Sequence, residues 1–154
     1  MQTFPTTLIL RHRKENLKKC TLRGLENRSD CCFFTYPKEP LPSLDGYCLL
    51  TLGAPPLTGA DAHLGIFLID GTWRYAEVMY EQNKDALKGC VLRTLPSHVR
   101  TAYPRRQEDC SDPSRGLASV EAIYIAYYLM ERDTSGLLDF YYWKDKFLEK
   151  LAGL

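Results

Sequence analysis

A chain of 154 residues with 45% hydrophobic and 25% charged residues matches one ordinary globular domain, long enough to bury a core without staples. A net charge of +1 excludes a uniformly basic nucleic-acid coat. The six cysteines show no C-x-x-C spacing and no disulfide-framework pattern, so free thiols in a reducing compartment and no metal site are expected. No run approaches the ~18 apolar residues of a membrane span, and the early apolar run precedes its charges, unlike a signal peptide. The expectation is a soluble, cytoplasmic protein with no membrane contact.

The charge is unevenly distributed. Seven basic residues and two acidic ones lie between Arg11 and Arg28, a local balance of +5, and Arg93, Arg100, Arg105, Arg106 and Arg115 form a second cluster. Such patches either guide a polyanion locally or are two solvated loops. Aromatic residues make up 12%, with ten Tyr, a residue that suits a core edge or a base-stacking surface.

In chain order, residues 7–10 read as a short strand, 16–24 as a short helix stopped by Gly24, 30–36 and 47–52 as two further strands. The run Leu-Gly-Ile-Phe-Leu-Ile at 64–69, ending at Asp70, is continuously apolar, as in a central parallel strand buried on both faces. A helix is expected from Trp73 to about Lys88 with Gly89 as its stop, then a strand over 90–95. Residues 96–116 read as a long polar, Arg-rich segment. Apolar spacing predicts helices over 119–130 and 139–151. Strands interleaved with helices make an α/β domain with a mostly parallel sheet. The chain is read as one domain, with the basic segment in 1–60 and the cofactor-binding half in 61–154.

The densest chemistry lies in Asp70-Gly71-Thr72-Trp73, where a buried strand turns into a helix. In open parallel sheets ligands bind beyond the carboxyl ends of the strands. An acid there, a Gly and an aromatic suit a small-molecule pocket. The same residues equally suit a helix start, with Asp70 or Thr72 accepting backbone N–H groups and Trp73 in the core.

The stretch FLIDGTWRYAEVM resembles the signature of the DTW-domain family, with Asp70, Thr72, Trp73, Ala76 and Met79 in the matching places. Two further blocks agree in order. ILRHRKENLKKCTLRGL is similar to the family's early segment at His12, Glu15, Thr21 and Arg23. AYPRRQEDCSDPSRGLASVEA resembles its later one at Tyr103, Arg106, Leu117, Ser119, Glu121 and Ala122. The sequence departs from the family at Cys20, where Asn is usual, and at Ala118, where a hydroxyl would complete a capping box with Glu121.

The resemblance implies transfer of a 3-amino-3-carboxypropyl group from S-adenosylmethionine to N3 of a uridine in tRNA. A related family modifies a pseudouridine in small-subunit rRNA. It also implies a SPOUT-like fold with a trefoil knot in the C-terminal half. On that reading Asp70 and then Glu121 are the candidate catalytic carboxylates, and Thr21, Thr72, Trp73, Ala76, Tyr103, Arg106 and Ser119 hold the cofactor. Trp73, with Ala76 leaving room behind it, would turn the methyl group away. Arg106 would bind a carboxylate or phosphate, while Arg11, His12, Arg23 and Arg105 face RNA. An RNA methyltransferase on the same fold and a non-catalytic RNA-binding factor remain as alternatives.

Overall fold

The computed structural model describes residues 4–14, 20–71, 73–96, 98–103 and 117–152. Its strands are β1 (Thr7–His12), β2 (Cys31–Tyr36), β3 (Tyr47–Leu50), β4 (Gly65–Asp70) and β5 (Val91–Arg93). Its α-helices are α1 (Trp73–Gln82), α2 (Lys84–Leu87), α3 (Ser119–Leu129) and α4 (Lys144–Ala152). The strands form one sheet in the order β2-β1-β4-β3-β5, and every pairing is parallel. This is the expected α/β architecture, and strands from both halves of the sequence interleave within it.

Side chains alternate along a strand, and both faces of this sheet are covered. Ile9, Ile66, Leu68 and Cys48 join Val120, Ile123 and Phe147 of α3 and α4 in one apolar cluster. Leu8, Leu10, Phe67 and Leu49 join Met79 and Leu87 of α1 and α2 in another. All six residues of β1 are buried, which explains its unbroken apolar start. Burying a side chain such as Ile9 or Phe67 completely stabilises the fold by about 1.5–3 kcal/mol.

Three helix expectations change. The single helix over 73–88 is two, because the Asn83 amide donates to the Met79 carbonyl at 2.8 Å. That side chain takes the acceptor the backbone N–H of residue 83 would use, and its N–H turns to Tyr80 instead at 3.3 Å. The last helix starts at Lys144 rather than 139, since Leu138, Tyr141 and Trp143 are spent on turns that bury Leu138 and Tyr141. Of the helix expected over 16–24, residues 16–19 lie outside the described residues. Residues 21–24 are turns leading to a 3₁₀ turn at Leu25–Asn27.

Helix α3 closes in a Schellman arrangement. The Arg132 N–H donates to the Tyr127 carbonyl at 2.8 Å and the Glu131 N–H to Tyr128 at 3.1 Å, with Glu131 at φ 59°. Most of the segment between β5 and α3, on which the course of the expected knot depends, lies outside the described residues. No helix among the described residues is long and apolar enough to cross a membrane.

The strand order has a functional consequence. From β1 the chain moves outward to β2, whereas from β4 it passes through α1 and α2 to β5 at the other edge. The carboxyl ends of β1 and β4 lie side by side, with Arg11 opposite Asp70. This is the switch point, where open parallel sheets leave a crevice for ligands.

Candidate functional site

Register fixes the centre of the site. Arg11 and Asp70 are cross-strand partners and project to the α3 side of the sheet, where both are buried. The Asp70 carboxylate accepts three bonds: from Ser119 Oγ at 2.8 Å, from the Cys20 thiol at 3.2 Å and from Arg11 Nε at 3.4 Å. Arg11 also donates to Glu26 at 3.1 Å and lies 4.4 Å from the centre of the Phe33 ring. Burial works against its charge, but Cys20, Asp70 and Glu26 together outweigh burial and raise its pKa. For Cys20, burial first and then the Asp70 charge push the thiol up to about 12. It stays protonated at neutral pH and serves Asp70 as a donor.

Residues before α3 complete the frame. Ala118, its N-cap, has no side-chain acceptor, and Thr21 Oγ1 takes that part by accepting the Val120 N–H at 3.2 Å. The other half of the capping box survives, with Glu121 accepting the Ala118 N–H at 2.8 Å. Glu121 is fully buried. It also accepts from the Thr101 hydroxyl at 2.6 Å, the Ala102 N–H at 2.9 Å and the Tyr141 hydroxyl at 2.9 Å. Four donors engage this carboxylate, expected from the sequence as a second catalytic acid, and through them it braces the site. It ties together the end of the 98–103 segment, the start of α3 and the turn before α4.

Arg11 and His12, expected from the sequence to face RNA, are both buried. β1 is central and covered on both faces, so its last residues stay inside. His12, on the α1 side, stacks on Tyr75 with centroids 3.9 Å apart and planes 7° from parallel, and its Nδ1 accepts the Lys14 N–H at 3.1 Å. Burial, with Arg13 and Lys14 nearby, lowers its pKa. Gly71 lets α1 come this close, because a Cβ there would meet Met79 Cε at 3.0 Å and Tyr75 Cβ at 3.3 Å.

Beside Asp70 opens a cleft of about 580 Å³ whose wall includes Cys20, Thr21, Arg23, Tyr103, Tyr141 and Trp143, a size ordinary for a small-molecule site. Asp70 stands one hydrogen bond behind this wall, through Cys20. Of the residues singled out in the sequence, Thr21, Arg23 and Tyr103 line this cleft, and Asp70 and Ser119 lie behind it. Ala76 is half-buried on α1. Thr72, Arg105, Arg106 and the Trp73 side chain lie outside the described residues. The sequence reading missed Glu26, Cys20 as a donor, and the aromatic turn at 140–143. An acid between basic residues at 26 was the one visible signal. A separate groove of about 500 Å³ near Arg132 belongs to the opposite end of β4, since Arg132 donates to the Leu64 carbonyl.

Cys20, Cys31, Cys32, Cys48 and Cys90 are free thiols. Among the described residues no group of His, Cys, Asp or Glu is arranged to hold a metal.

No family model and no curated protein matches this sequence. Among solved structures, the fold is similar to that of the SAM-dependent rRNA:acp-transferase Tsr3 from Vulcanisaeta distributa. The TM-score is 0.75 and the identity 23%, over 98% of this chain and 80% of that one.

Proposed function

We propose that this chain transfers the 3-amino-3-carboxypropyl group of S-adenosylmethionine to a uridine or pseudouridine of ribosomal RNA. The observation that carries the reading is the cleft at the switch point, with the Asp70 network directly behind its wall. The structure it resembles is of an enzyme acting on rRNA, which favours rRNA over the tRNA expected from the sequence.

The described wall suits a sulfonium cofactor. Tyr103 and Trp143 offer aromatic surface to a purine and a cation, and Asp70 sets a fixed negative charge behind them. When bound, S-adenosylmethionine supplies a sulfonium with three electrophilic carbons, of which the chain carbon is the one to be transferred. The protein selects among them by position. Thr21 lines the cleft, and because its oxygen accepts from Val120 its hydroxyl hydrogen is left to donate, in keeping with a ribose contact. Trp73 and Ala76, which follow Asp70 into α1, are assigned the methyl side. Arg106 is assigned the methionine carboxylate, and Thr72 and Ser119 support that region.

Asp70 acts through charge and orientation rather than as a base. The carboxylate lies behind the wall, bonded to Arg11, Cys20 and Ser119, and is not among the groups that line the cleft where uridine N3 would arrive. Its work is to fix Ser119 at the head of α3 and Cys20 in the wall, and to favour a cation in the cleft. Arg23, exposed on the wall, and Arg105 are assigned to RNA phosphate.

The test is transfer from S-adenosylmethionine labelled either in the chain carbons or in the methyl group, onto rRNA and tRNA separately. Chain label on rRNA is the expected result. Chain label on tRNA alone would restore the tRNA reading, and methyl label alone would make the protein a methyltransferase. RNA binding without transfer of either label would leave a non-catalytic RNA-binding factor.

A further inference from the structure

The turn before α4 places aromatic side chains where burial does not account for them. Phe140 is 63% exposed and Tyr142 86%, with half-buried Trp143 following. Single exposed aromatics are common on protein surfaces. Here three of them line the wall of one cleft, beside Thr21 and Arg23.

The strip is rigidly mounted. Tyr141, between the exposed rings, is buried and donates its hydroxyl to Glu121 at 2.9 Å. The backbone turns through Tyr141 N–H to Leu138 at 3.0 Å and Lys144 N–H to Tyr141 at 3.2 Å. Phe140 lies over Gly24, whose φ of +96° suits glycine, and a Cβ there would come within 2.2 Å of the ring. Tyr142 and Trp143 meet edge to face at 4.8 Å. Rings fixed in advance lose little freedom on binding a ligand.

Two cations, Arg23 and Lys146, stand beside the rings, and the one acid among the described residues of the wall, Asp139, is paired with Lys144. Arg23 is exposed on the same wall, Lys146 Nζ lies 5.6 Å from the Trp143 ring, and Lys144 pairs with Asp139 of the same turn at 3.6 Å. Open aromatic faces with cations beside them match unpaired RNA, whose bases stack while its phosphates meet basic groups. A base-paired helix, with its bases already stacked inside, offers no such faces.

We infer that Phe140 and Tyr142, mounted beside Trp143, form a stacking platform for unpaired bases, so that the target nucleotide is presented from a single-stranded or splayed segment of RNA. The inference rests on the RNA reading above and adds the conformation of the substrate. Phe140 and Tyr142 hold the RNA at the cleft mouth and make no contact with the cofactor.

The experiment compares the parent with Tyr142→Ala, Phe140→Ala and Tyr142→Phe. Fluorescence anisotropy follows a labelled oligouridine and a labelled RNA duplex, and calorimetry follows S-adenosylmethionine. Each alanine variant should bind the oligouridine about tenfold more weakly, with the salt dependence unchanged because no charge is removed. Duplex binding and cofactor affinity should stay at the parent's values, and Tyr142→Phe should bind as the parent does. Alanine variants that hold the oligouridine as tightly as the parent would overturn the platform while leaving the proposed transfer standing. Loss of cofactor affinity in those variants would overturn it in favour of a cofactor wall. A parent that binds no RNA overturns the platform together with its premise.

Discussion

Thr21 Oγ1 accepts the Val120 N–H at 3.2 Å across 99 positions of sequence, so a residue after β1 caps the helix that begins at Ser119. The cap is needed because Ala118 has no acceptor of its own. Thr21→Val, which keeps the shape and removes the oxygen, should cost about 1 kcal/mol. Adding Ala118→Ser should recover most of that loss by restoring a local cap. Urea midpoints at constant slope measure both, and a double variant no more stable than Thr21→Val would refute the compensation.

Asp70→Asn keeps an acceptor for Ser119 and leaves Arg11 its second partner, Glu26. Stability should therefore fall by only about 1–2 kcal/mol. Transfer of chain-labelled cofactor should fall about a hundredfold, as when one preorganised electrostatic contact is removed. Normal transfer by a strongly destabilised variant would reduce Asp70 to a structural residue.

Glu121→Gln turns an amide NH₂ toward donors that now share two carboxylate oxygens. A loss of about 2–4 kcal/mol is expected, read as a lowered melting temperature. At temperatures where the variant stays folded, the turnover number should match the parent's. A selective drop in turnover would return Glu121 to the reacting groups.

Alkali should weaken the fold through its buried thiols. Burial, with Asp70 beside one and Asp30 beside the other, pushes Cys20 and Cys31 up to about 12. Burial, with Asp61 nearby, pushes Cys48 to about 11, all from the ordinary 9.0. The unfolded chain releases these protons first, so their contribution is complete below pH 9.0 and is lost as pH rises through 11 and 12. Cys20→Ser retains a donor for Asp70 and should flatten part of this decline. Urea midpoints across that interval decide it; equal alkaline slopes for parent and variant would remove Cys20 from the account.

Much of the frame was readable because it is local. The apolar run before Asp70 gave β4 its place in the centre of a parallel sheet, and the spacing from Val120 to Tyr127 gave α3 within one residue at its end. What escaped was set by contacts distant in sequence. Arg11 and His12 read as RNA-facing residues beyond the end of a strand, and their burial against Asp70, Glu26 and Tyr75 could not be seen locally. Cys20 read as a departure from a motif, and only the fold shows its thiol bonded to Asp70. The aromatic residues at 140–143 fit helical spacing well enough to hide a turn, since nothing nearby in sequence announces that Tyr141 reaches Glu121.

The Tyr141–Glu121 bond also means that one wall of the cleft depends on residues late in the sequence. A growing chain that has delivered β1 and β4 holds Arg11 beside Asp70, but Ser119 arrives much later and the Tyr141 anchor later still. Contacts this far apart in sequence close slowly and late. An unfinished chain therefore has a sheet but no second wall to its cleft. The cleft is complete only once residues 139–143 have joined α3, so a product truncated before them keeps the Asp70 motif without the wall beside it.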